Sequence, residues 1–131
     1  MMPAEPLDVI VRDTLAAAGG FRPFAVFDEL LDCIRVVTRD CSTNEIRVNE
    51  ELTLLEANYP VSGKREIVGF TIKGVAHLCE TCHIPPDAPW KLADFLNAIM
   101  ARSPLVHFMV EEHVQAIVEE TQLEDVELIT A

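Results

Sequence analysis

Positive charge is scarce in this chain. Among 131 residues, 10 Lys and Arg stand against 22 Asp and Glu, for a net charge of -12. Nucleic-acid binding depends on cations that neutralise phosphates, so no nucleic-acid partner is expected. Anionic membrane surfaces are disfavoured for the same reason. Glycine is also sparse, at 5 residues, which argues against a glycine loop that cradles phosphate. Six Phe, one Trp and one Tyr are few aromatics, so the core must rest mainly on Leu, Ile, Val and Ala. No apolar run approaches the roughly 18 residues of a membrane span. The first apolar segment, 7–18, is interrupted by Asp8, Arg12 and Asp13, unlike a secretory h-region. The expectation is a cytoplasmic protein in which Cys33, Cys41, Cys79 and Cys82 stay reduced. Catalytic signatures are missing as well. There is no GxSxG elbow, no GxGxxG loop and no HExxH pair, so an enzyme is not expected.

What is present is the material of one globular domain. Half the residues are hydrophobic and 24% are charged. A chain of this length buries roughly two thirds of its unfolded surface in a single core.

Pro6, with Glu5 and Asp8 nearby, reads as a helix start. Leu7, Ile10, Val11, Leu15 and Ala18 then fall on one helical stripe, which Gly19-Gly20 ends. From Phe24 the period shortens. Ile34 to Thr38, Ile46 and Val48, Leu52 to Ala57, and Ile67 to Lys73 all read as strands. Pro60 and Ser62-Gly63 mark a loop. Short strands joined by short turns predict an antiparallel meander over 24–73. Helical spacing returns after Gly74. Val75 to His83 makes about two turns before Pro85-Pro86, and a stronger helix begins near Asp87 and Pro89. Ser103-Pro104 is an N-cap followed by proline in the first turn. From there Val106, Val110, Val114 and Ile117 run along one face. Residues 121–131 carry no helix stop signal and read as an acidic tail or a last short strand. The predicted class is α+β, with one N-terminal helix over 1–20, a sheet of four or five strands, and two or three C-terminal helices on one sheet face. Val37 and Leu55 would lie opposite the main apolar stripe, so the other face is also partly apolar.

The stretch Phe27-Asp28-Glu29-Leu30-Leu31-Asp32-Cys33-Ile34 has an aromatic, an Asp, three variable residues, a second Asp and an aliphatic strand. Ile67-Val68-Gly69-Phe70-Thr71-Ile72 closes the region with Val-Gly and alternating apolar residues. Over 24–73 the chain resembles a small bacterial β-meander family of unknown function, domain-of-unknown-function family 2283. Arg35 and Thr71 stand where that family usually places Tyr and Glu. The resemblance implies a β-meander core, no established active site and a protein-binding role.

One string is dense in ligating side chains, His77-Leu78-Cys79-Glu80-Thr81-Cys82-His83. Cys79 to His83 has the spacing of c-type haem attachment, which belongs to exported proteins. On a helix Cys79, Cys82 and His83 share one face, and thiolate with imidazole suits tetrahedral zinc. His77, Cys33 or Cys41 would complete the set. Against this, no second ligand pair stands elsewhere in the chain. A buried Cys79 beside Leu78, with His83 in solvent near a helix end, accounts for the string without a metal and is the preferred reading. No cofactor is therefore expected, with zinc at His77, Cys79, Cys82 and His83 as the alternative. A nucleophilic pair of Cys82 with His107 or His113 would need the fold to bring them together.

Charge is uneven along the chain. Residues 103–131 hold Glu111, Glu112, Glu119, Glu120, Glu124, Asp125 and Glu127 and no Lys or Arg. Either this is a solvated face, or Glu111, Glu112, Glu119 and Glu120 dock a basic protein partner. The functional expectation is an acidic interaction or regulatory module that binds a protein or itself, as in a homodimer through the sheet or the last helix. A zinc or thiol-redox protein is the second expectation.

Overall fold

The computed structural model describes residues 21–60, 63–87 and 89–129. The helix expected over 1–20 lies outside the described residues. Strands β1 (Phe24–Asp28), β2 (Cys33–Val37), β3 (Thr43–Arg47), β4 (Leu52–Ala57) and β5 (Ile67–Lys73) come first. Helix α1 (Val75–Thr81), the two-residue strand β6 (Trp90–Lys91) and helix α2 (Leu92–Arg102) follow. The third helix, α3, runs Pro104–Met109, passes through a π turn at Val110–Val114 and resumes as Gln115–Thr121. Strand β7 (Asp125–Ile129) ends the described chain.

The class is α+β, as expected, but the sheet is larger. Seven described strands run in the order β3-β4-β5-β2-β1-β7-β6. All neighbours are antiparallel except β1 and β7, which are parallel. The continuous meander is thereby corrected. A β1–β2 hairpin and a β3-β4-β5 meander join side by side through the β2–β5 pair. Of the two readings of 121–131, the short strand holds over the tail. Residues 125–129 form β7, held between β1 and β6. The strong helix starts at Leu92 rather than at Asp87 or Pro89, because Trp90 and Lys91 pair with Val126 and Asp125.

Local chemistry sets the turns. The Asp28 carboxylate accepts the amides of Leu30 and Leu31, at 3.0 and 3.2 Å, and shapes the β1–β2 turn. The Asn49 side chain accepts from Glu51 and Leu52, at 2.9 and 2.8 Å, and closes the β3–β4 turn. Ser103 Oγ accepts the Val106 amide at 3.2 Å, so the cap expected from sequence starts α3.

The main core lies between one sheet face and the three described helices. Ile34, Val36, Leu54, Phe70 and Ile72 of the sheet meet Val75, Leu78, Phe95, Ile99 and Val106 of the helices. Each such side chain contributes about 2 kcal/mol when taken out of water. The single Trp stands at the β6 end. Trp90 meets Phe27 and Phe95 edge to face, at 4.9 and 5.2 Å, and its indole N–H donates to the Pro85 carbonyl at 2.6 Å. Among the described residues no helix is long and apolar enough to cross a membrane.

Candidate functional site

The Cys/His string does not form one helical face. Helix α1 ends at Thr81, Cys82 is its cap, and His83 lies beyond it with φ 57°. Cys79 is buried in the main core beside Leu78, Cys82 packs at the edge of that core, and His77 and His83 are exposed. Cys33 belongs to β2 on the opposite side of the sheet from Ile34 and Val36, so the sheet separates it from Cys79. Cys41 is exposed in the turn after β2, at the far end of that strand from Cys33. Burial pushes the Cys79 thiol pKa up, helped by the nearby charge of Asp32 and by Cys82. The thiolate that a metal or an electrophile requires is therefore disfavoured at this position. Among the described residues no three His, Cys, Asp or Glu side chains are grouped to hold a metal ion.

Nor are Cys82 and the later histidines brought together. Cys82 lines a depression between the end of α1 and α2, with Asn97 and Arg102. His107 contacts Glu111 at 3.2 Å, one turn along the same helix. His113 lines a separate depression over β3, β4 and β5.

The four singled-out glutamates do not form one surface: Glu112, Glu119 and Glu120 line three separate depressions. Glu111 is engaged with His107. Glu112 lines the depression with His113, Ile46 and the Arg65–Glu56 ion pair. Glu120 stands near Thr38 and the Arg39–Glu66 ion pair, which closes at 2.7 Å. Glu119 faces α2 across a groove with a cavity volume of about 490 Å³.

That groove is built by α2 and α3. Leu96 and Met100 of α2 and Val110 and Val118 of α3 line its floor. Leu123 closes one end, because Gln122 adopts a left-handed conformation (φ 56°) and turns the chain back. The Leu92 amide donates to the Glu124 carbonyl at 2.8 Å and ties this end to the start of α2. Asp94, Glu119 and Glu124 form the rim. Lys91 also borders the groove, and its ammonium is paired with Asp125 at 2.5 Å. The result is an apolar floor under three carboxylates, with the neighbouring cation already partnered.

No family model matches the chain, and no curated protein or solved structure matches it either.

Sequence reasoning reached Glu119 but not its company. Asp94 lies 25 positions upstream on another helix, and only the packing of α2 on α3 sets it opposite Glu119. The available signal was the pair Leu96 and Met100, apolar and four apart beside Asp94, but it is the same signal that a core-facing stripe gives.

Proposed function

We propose that the protein is a non-enzymatic interaction or regulatory module, and that the groove between α2 and α3 receives an amphipathic segment of a partner protein. One observation carries the reading: an apolar floor of Leu96, Met100, Val110, Val118 and Leu123 lies beneath the carboxylates of Asp94, Glu119 and Glu124. A segment with leucine-like residues on one face and Lys or Arg beside them satisfies both parts at once. The charge complementarity also selects against self-binding here, because a second copy of a chain at -12 brings mostly acid to an acidic rim.

The test is titration calorimetry with two synthetic helical peptides, one of Leu and Lys, the other of Leu and Glu. The Leu/Lys peptide should bind, weaken as salt rises, and lose at least tenfold in affinity against Asp94→Lys/Glu119→Lys/Glu124→Lys. A Glu111→Lys/Glu112→Lys control, which alters acids outside the groove, should weaken it far less. Equal binding of both peptides, or of wild type and the groove variant, would sink the proposal.

A further inference from the structure

Strand β3 stands at one end of the strand order, and among the described residues it pairs only with β4. Its hydrogen bonds have a fixed phase. The Val48 amide donates to the Leu52 carbonyl and the Asn58 amide to the Ser42 carbonyl, each at 2.9 Å. In an antiparallel pair, alternate residues turn their N–H and C=O groups to the same neighbour. Positions 42, 44, 46 and 48 therefore face β4, and Thr43, Glu45 and Arg47 turn their backbone groups away from the sheet. Two of the devices that blunt an edge strand, proline and a bulge, are missing. The register runs without a break from Thr43 opposite Ala57 to Arg47 opposite Thr53. The third device, charge, is present as Glu45 and Arg47, opposite in sign and two positions apart. Both are exposed, and among the described residues neither makes an ion pair within the chain. At the other end of the sheet, β6 has only two residues.

We infer that a second copy of this chain adds its β3 antiparallel to this one, about a two-fold axis at Ile46. An axis centred on any residue of β3 sets outward-facing backbone against outward-facing backbone, so hydrogen bonding alone permits several registers. The side chains select among them. Centred on Glu45 or Arg47, the axis brings like charges face to face, which destabilises a strand pair. Centred on Thr43 or Asn44, it leaves Arg47 without a counter-charge. Centred on Ile46, it sets Glu45 opposite Arg47 of the second copy and Arg47 opposite Glu45 of the second copy. The two Ile46 then meet on the helical side of the sheet, since Ile46 lies opposite the core residue Leu54. Ile46 is half-buried there, at the border of the depression that holds Met109 and His113, and its mate covers its open flank. The net charge of -12 repels a second copy at long range, but the edge itself, one acid and one base, is neutral. The inference is independent of the α2–α3 groove, whose Lys91 belongs to the opposite end of the sheet.

The experiment is sedimentation velocity on the full chain with charge swaps in β3. Wild type should sediment as a dimer at about 100 μM, where a contact of about 1 μM is nearly saturated. Glu45→Arg alone, or Arg47→Glu alone, places like charges across the axis and should give a monomer with unchanged Trp90 fluorescence. An equimolar mixture of the two single variants should form a dimer again, because each strand then meets its opposite. Glu45→Arg/Arg47→Glu should dimerise by itself. The register is read by oxidation, with the exposed Cys41 replaced by Ser. Ile46→Cys places the thiols on the axis, with Cα atoms about 4.5 Å apart, and should form a disulfide between chains. Asn44→Cys, roughly 14 Å from its mate, should not. A wild type that stays monomeric at that concentration, single swaps that leave the dimer intact, a mixture that fails to associate, or faster crosslinking through Asn44→Cys would each overturn the inference. The first would leave the edge to a strand of another protein.

Discussion

The carboxylate of Asp32 accepts the backbone amide of Ala76 at 3.0 Å, across 44 positions of sequence. The Asp32 carbonyl accepts the amides of Gly74 and Val75 as well, at 3.1 and 3.3 Å. The turn between β1 and β2 thus caps α1, a helix whose own N-cap, Gly74, has no side chain to do so. Asp32 reaches this position in a left-handed conformation, φ 51°, which Asp and Asn tolerate better than most residues.

Asp32→Ala should therefore cost about 1 kcal/mol in urea unfolding, through the lost cap and the strained φ. Asp32→Asn retains an acceptor and a tolerated backbone conformation, and should cost only a few tenths. Equal losses in the two variants would refute the capping role.

The two cysteines of the 77–83 string should respond unequally. Cys79 is buried in the core and Cys82 sits at its edge, so Cys79→Ser should cost about 1–3 kcal/mol and Cys82→Ser about half that or less. Chelator should leave the melting temperature unchanged. Equal large losses, with stoichiometric zinc in the wild type and none in either variant, would instead establish a metal site, because structural zinc couples binding to folding.

Stability should decline in mild alkali. Burial raises the pKa of both Cys33 and Cys79 above the ordinary value of 9.0. For an acid that is neutral when protonated, a raised folded pKa means that the native state holds more protons than the unfolded state. The stabilisation is complete below pH 9 and is lost as pH climbs from there through the folded pKa values. Cys79→Ala should flatten the fall in melting temperature between pH 8.5 and 10.5 (on the order of the ordinary thiol range). An unchanged slope in both Cys33→Ala and Cys79→Ala would exclude the thiols as its source.

The Glu51–Arg102 ion pair pins the β3–β4 turn to the end of α2, with Nε and Oε2 2.9 Å apart. Its partners are unequal, Glu51 being 10% exposed and Arg102 36%. Arg102→Ala leaves a buried carboxylate alone and should cost about 2 kcal/mol. Glu51→Ala leaves a guanidinium that can turn to water and should cost less. The double variant should be closer to Glu51→Ala than to the sum. Additive losses would show that the pair acts as two independent residues.

Gly69 gives the sharpest packing test. A Cβ there would lie 2.3 Å from the Val36 carbonyl oxygen, which is backbone of the adjacent strand and cannot step aside. Gly69→Ala should destabilise by about 2–4 kcal/mol. A neutral substitution would mean that β2 and β5 can separate locally at no cost.

The strands from Cys33 to Lys73, the Ser103 cap and the helical stripe after it were legible because each is a local pattern. Alternation, a cap and a period of 3.6 need only a few neighbouring residues, and 33–37, 52–57 and 67–73 all follow that logic. The apolar second face was legible in the same way from Val37 and Leu55. Strand β7 was legible only as one of two readings, since Val126 and Leu128 among Glu124, Asp125 and Glu127 suit a charged tail as well as a short strand. Only pairing with β1 and β6 makes that segment a strand.

The site divides along the same line. Composition and charge settled the expectation of an acidic, one-domain chain, because these are sums over residues and do not depend on where each one goes, and local periods added the α+β class. Tertiary structure alone decided that β2 pairs with β5, that Cys33 and Cys79 fall on opposite sides of a sheet, and that Asp94 joins Glu119 and Glu124 around an apolar groove. Those are contacts between residues far apart in sequence, and no local period or spacing encodes them. They follow from which apolar faces can be buried together at once.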